Sequence, residues 1–186
     1  MVLFSARKSS QGFTLTEMLV IVAIVGILSA IVAPSFLGLL NRNKVSNAVV
    51  NLQGVLQEAQ RESLRKSKTC TVNIPSSSNP TVTGPSGSSY CLITGDRVLK
   101  DISIRRDDTS LGTITFDFKG RTTTGGSDFQ AIVFSVANDT STPERCLMIS
   151  NPLGVVRTGL YNDSSGSATT VDPNNSSTTP NCTISQ

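Results

Sequence analysis

The sequence predicts an α+β protein in which one long N-terminal helix, with a membrane half and an amphipathic half, packs on a C-terminal antiparallel β-sheet domain. Three observations predict it. Met18 to Leu40 is a run of 23 residues without a charge, which at about 1.5 Å of rise per residue spans the roughly 30 Å hydrocarbon core of a bilayer. From Val45 to Ala59 apolar residues recur at intervals of three and four, the period of a helix with one buried stripe. Beyond Ser67 the chain turns to serine, threonine, glycine and β-branched residues in short runs between turn formers, the pattern of strands.

In chain order, residues 1–12 form a short leader whose only charges, Arg7 and Lys8, stand just before the apolar run. That bias keeps this end cytoplasmic and exports the C-terminal remainder of the chain, giving a single pass through the membrane. A secretory signal peptide would have a shorter apolar core with a small-residue cleavage site after it. Here the junction of interest precedes the apolar run, so a cut would leave the helix on the mature chain. Residues 13–40 form the membrane segment, with one carboxylate, Glu17, at its start. A carboxylate at the edge of hydrocarbon costs about 2.5–3.5 kcal/mol on insertion scales, so it is expected to reach the interface or to find a cation.

Residues 41–67 continue as the amphipathic half, with Val45, Ala48, Val49, Leu52, Val55, Leu56 and Ala59 on one face and Asn, Gln, Glu and Lys between them. One helix from about Thr14 to Ser67 is expected, softened near Pro34 and Gly38. Arg61, Arg65, Lys66 and Lys68 crowd its C-terminal end, where the helix dipole favours cations; no site is assigned to them.

The β domain, residues 69–160, has candidate strands at Thr69 to Ile74, Ser89 to Thr94, Arg97 to Ile104, Thr113 to Phe118, Ala131 to Ala137, Arg145 to Ser150 and Val155 to Thr158. Pro75 to Ser89, rich in serine, proline and glycine, is expected to be an exposed loop. Residues 161–186 read as a polar tail for which Cys182 offers an anchor.

The four cysteines, Cys70, Cys91, Cys146 and Cys182, all come after the apolar segment, in a compartment that favours disulfides. Four cysteines allow three pairings. Cys70 and Cys91 begin successive candidate strands, so hairpin-like neighbours suggest one bridge, leaving Cys146 for Cys182; buried free thiols at Cys70 and Cys91 are the alternative. The formal charge of +3 falls to +1 once Arg7 and Lys8 leave with the leader, which is no nucleic-acid-type excess. Without histidine, a phosphate loop, a nucleophile with a recognisable partner or metal-ligand spacing, neither an enzyme nor a metal or other cofactor is expected. Asp107-Asp108, beside Arg105-Arg106, reads as a solvated loop.

Gly12-Phe13-Thr14-Leu15-Thr16-Glu17 with the apolar helix after it resembles the processing motif of type IV prepilins and type II secretion pseudopilins. The resemblance implies that a prepilin peptidase cuts after Gly12 and methylates the new amino terminus of Phe13. It implies further that Glu17 acts in assembly, against a neighbouring subunit's amino terminus, and that Pro34 lies where such helices kink. A long helix followed by an antiparallel β domain is the order that pilin-like proteins share. Thr115 to Thr122 and Ile149 to Gly159 resemble segments of the GspH/FimT branch. That likeness implies a minor pilin that helps to initiate or cap a pilus, with other pilin subunits, the peptidase and the inner membrane as partners. A GspH-like pseudopilin contacting exported cargo is the alternative. Some FimT-like proteins bind DNA through a Gly-Arg-x-Arg segment; here Gly154-Val155-Val156-Arg157 keeps one of the two arginines, and Lys119, Arg121 and Arg157 would form a DNA patch if their strands were adjacent.

Overall fold

The computed structural model describes residues 12–85, 90–106, 112–122, 129–162 and 182–184, without the side chains of residues 31–35 and 184. The expected loop residues Asp107 and Asp108 lie outside the described residues, as does the leader before Gly12. The chain divides into two compact units, Met1–Leu39 and Leu40–Gln186.

Helix α1, Leu15–Lys66, contributes to both units, and its helical assignment runs through positions 34 and 38. In the first unit its apolar side chains, Leu15, Leu19, Val22 and Ile27 among them, are exposed on all sides. Such a helix needs an apolar surrounding or an apolar partner. No helix among the described residues is long and apolar enough to cross a membrane; the uncharged run of the sequence includes residues 31–35.

The second unit is built on the other half of α1. Val45, Ala48, Val49, Leu52, Val55, Leu56 and Ala59 are all at most 4% exposed, so the stripe read from the sequence is the face that meets the sheets. The strands are β1 Cys70–Asn73, β2 Thr81–Val82, β3 Arg97–Val98, β4 Ile102–Arg106, β5 Thr113–Phe116, β6 Phe129–Val136, β7 Arg145–Ser150, β8 Val156–Tyr161 and β9 Cys182–Ile184. β1 pairs with β5, β2 pairs with β3, and β4-β6-β7-β8-β9 form one antiparallel sheet. Because side chains alternate across a strand, β6 and β7 send Ile132, Phe134, Leu147 and Ile149 to the core shared with α1. Ala131, Val133, Cys146 and Met148 point the other way and join Tyr161 and Cys182 in a second cluster on the outer face.

Four strand expectations change. Tyr90 to Thr94 is a series of turns and not a strand: the Thr94 amide donates to the Glu58 carboxylate and Gly95, at φ +81°, donates to the Leu92 carbonyl, so no ladder forms. The run from Arg97 to Ile104 is broken at Asp101, whose φ is +60°; its amide donates to the Asn79 side chain. The expected loop 75–89 contains β2, with Pro80 and Val82 buried. The expected polar tail contains β9, held by its pairing with β8. Arg106, expected beside a solvated loop, is 2% exposed and donates to the Ile74 carbonyl.

Candidate functional site

Two regions carry the residues singled out from the sequence. The first is the start of α1. Gly12 has no atom within 4 Å of where a Cβ would stand, and Phe13 is 71% exposed, so the junction between them is sterically open. Thr14 caps the helix: its hydroxyl accepts from the Glu17 amide at 3.2 Å, and its carbonyl accepts from the Met18 amide at 3.2 Å. Glu17 occupies the first turn, where the helix dipole favours a carboxylate. The cap was missed in the sequence, although Thr14-Leu15-Thr16-Glu17 has the Thr-x-x-Glu spacing of a capping box. Pro34 falls among the residues whose side chains are not described.

The second region gathers the two segments that resemble the GspH/FimT branch. After β5 the chain turns through Asp117 to Arg121, and between β7 and β8 through Ser150 to Val155. Thr122 joins the turns, its amide donating to the Pro152 carbonyl at 3.0 Å and its hydroxyl to the Ser150 carbonyl at 3.2 Å. Gln60 of α1 reaches both, donating to the carbonyl of Gly120 at 2.8 Å and towards that of Gly154 at 3.5 Å. The two turns therefore lie side by side, but β5 pairs with β1 while β8 belongs to the five-stranded sheet, so the adjacent strands on which a patch of Lys119, Arg121 and Arg157 depended are not formed.

The cations are less well gathered. Asp117 accepts from the amides of Lys119 and Arg121 at 2.8 and 2.9 Å, and from the Arg121 guanidinium at 2.9 and 3.0 Å. Burial raises the Asp117 carboxyl, but the hydrogen bonds from Arg121 and Lys119 outweigh it and hold the group below the ordinary carboxylate range. Arg121 thus closes its own turn. The Lys119 ammonium lies over the Phe118 ring, 5.4 Å from its centroid. Arg157 pairs in register with Met148 and so faces the outer side of the sheet. It lines a pit of about 480 Å³ with Phe129, Met148, Leu153 and Val155.

The disulfides join Cys70 to Cys91 and Cys146 to Cys182, with Cα atoms 5.5 and 6.0 Å apart. Cys91 meets Cys70 from a turn, and its neighbour Tyr90 donates to the Thr69 carbonyl at 3.0 Å. At the end of α1, Arg65 pairs with Glu62 at 2.9 Å, and the Lys68 ammonium lies 5.8 Å from the Tyr90 ring centroid. Among the described residues no group of three or more His, Cys, Asp or Glu could hold a metal ion.

An exposed Gly-Phe junction, a long capped helix with a carboxylate in its first turn, and an antiparallel β unit that follows it in the chain define an α+β protein with an N-terminal apolar helix. The chain carries the N-terminal methylation motif of prokaryotic prepilins, the model of that motif matching residues 7–33. Over 46 residues it is 46% identical to the type IV major pilin protein PilA of Myxococcus xanthus (strain DK1622), a match covering 25% of this chain and 21% of that protein. The match thus spans about a fifth of the length of the curated relative. Compared with the crystal structure of the type IV minor pilin FimU from Pseudomonas aeruginosa (strain PAO1), the chain has a TM-score of 0.48 and 15% identity, over 69% of this chain and 96% of that one.

Proposed function

We propose that this protein is a minor subunit of a type IV pilus. A prepilin peptidase removes residues 1–12 and methylates Phe13, the segment 13–40 anchors the chain once in the inner membrane with its β unit outside, and the same segment then packs into a filament at or near its tip. The observation that carries this reading is the methylation motif at residues 7–33 at the head of a helix whose apolar side chains are exposed all round. The β unit supports a structural and contact role within such a filament.

Glu17 is the residue on which assembly turns. In a filament the apolar helices exclude water, so the carboxylate needs a cation, and the methylated amino terminus of a neighbouring Phe13 supplies one. The test is Glu17→Ala in the full chain. The melting temperature of the β unit is expected to stay unchanged, while recovery in sheared pili falls at least about tenfold, a loss of about 1.4 kcal/mol or more. Wild-type recovery would mean that the carboxylate only serves the helix start, and would remove the assembly role. Recovery of the chain solely with a type II secretion apparatus would overturn the pilus assignment in favour of the pseudopilin one. DNA uptake draws weaker support: Arg121 is engaged by Asp117, which leaves Arg157 without a second guanidinium beside it for paired phosphate contacts.

A further inference from the structure

In the β-bearing unit, six described carboxylates have donors inside the molecule. Glu58 accepts from Thr94, Glu62 from Arg65, Asp101 from Lys44, Asp117 from Arg121, Asp139 from Ser141 and Thr142, and Glu144 from Arg105. Asp96 is exposed and has no such donor among the described residues. It stands on a turn, here called the tip, that also carries Ile93, a large apolar side chain 59% exposed at the edge of a groove shared with α1. The tip is rigid. The Cys70–Cys91 bridge fixes its start, Glu58 accepts from the Thr94 amide and hydroxyl at 2.9 and 2.5 Å, and Arg97 donates to the carbonyls of Thr94 and Gly95.

The pit on the outer face of the sheet has the complementary chemistry. Phe129, Leu153 and Val155 are 39, 68 and 45% exposed around it. Among the described residues the one charged group lining it is Arg157, exposed and without an internal partner among them. Its rim is rigid too, since Ser150 and Val155 bond to each other across the turn and Gly154 donates to Ser150. Two preorganised surfaces lose little conformational freedom on meeting.

We propose that the Ile93–Asp96 tip of one copy docks in the Phe129, Leu153 and Val155 pit of a second copy, with Asp96 against Arg157. Glu58 ties the tip, and Gln60 ties the turn that rims the pit, to one stretch of α1. A contact between the two therefore sets neighbouring copies side by side. Tip and pit are different patches, so the contact is heterologous. This deepens the filament-subunit reading by naming one lateral contact, and its test is separate from that of processing.

The test is charge exchange in the full chain in detergent micelles, where the apolar helix is common to all variants and self-association is followed by sedimentation velocity. Asp96→Arg and Arg157→Glu are each expected to weaken association at least about tenfold, because opposed charges at close range become like charges. The double variant Asp96→Arg with Arg157→Glu is expected to restore it to within about threefold of the wild type. Ile93→Ser should weaken it with the charges intact. Unchanged association in either single charge variant, or a double variant as weak as the singles, would overturn the proposal. Unchanged melting temperatures show that the variants are folded, as expected for exposed positions.

Discussion

Gly154 has room for a hydrogen and little else. Its φ is +69°, and a Cβ there would stand 2.9 Å from the Gly120 carbonyl oxygen and 3.0 Å from Gln60 Nε2. The glycine of Gly154-Val155-Val156-Arg157 is thus required by the approach of two turns and a helix side chain. Gly154→Ala is expected to cost about 1–2 kcal/mol from the left-handed backbone alone and more from the contact, read as a lower urea midpoint with unchanged slope; an unchanged midpoint would contradict this packing. Asp139 makes the corresponding electrostatic case. Hydrogen bonds from the Ser141 side chain, then from Thr142 and the Ser141 amide, with Asn41 of α1 adding to them, hold its carboxyl well below the usual range against the opposing effect of burial. A folded value below the unfolded one contributes stability that is present above about pH 4 and lost as pH falls through the folded value. Acid unfolding of Asp139→Asn should therefore show a shallower pH dependence below about pH 4, and the variant should be less stable than the wild type at pH 7. Equal stability of the two at pH 7 would mean that Asp139 does not fasten the β6–β7 connection to the helix.

At the scale of elements, the amphipathic half of α1 was legible because burial on one face repeats every three to four residues, and the residues of the stripe are the ones that lie against the sheets. β7 was legible for a related reason: Arg145–Ser150 is an apolar run bounded by Pro143 and by Asn151-Pro152. β2 and β9 were not. Each is held by pairing with a distant strand and carries little periodic signal of its own, two residues in one case and three in the other. The turn around Cys91 was hidden likewise, because the amide that would have entered a ladder goes to Glu58, 36 positions earlier. The Cys146–Cys182 bridge fixes β9 at its first residue. Closing a loop of about this length is worth roughly 3–4 kcal/mol in the chain-entropy model. Cys146→Ser with Cys182→Ser should lower stability by about that amount and expose the Gly159 to Tyr161 amides to hydrogen exchange. Peptide mapping without reductant should recover Cys146 joined to Cys182; a peptide joining Cys70 to Cys146 would contradict the pairing.

Over the whole molecule, two kinds of surface divide the work. The first unit exposes apolar helix on every side, while the second buries its apolar stripe under two small sheets and a five-stranded one. The N-terminal motif was legible because it is a short string of contiguous residues, and the cap formed by Thr14 with Glu17 lay in the same string. The reach of the Arg121 guanidinium to Asp117 was not legible, and it weakens the cationic patch that Lys119, Arg121 and Arg157 would have formed on adjacent strands. The central claim is that the chain is cut and methylated at its head and then serves as a helix-anchored filament subunit. Intact mass and N-terminal peptide spectrometry of protein purified from its own membranes tests it most directly: the chain is expected to begin at Phe13 with one added methyl group, and a chain that keeps Met1 and the residues up to Gly12 would contradict it.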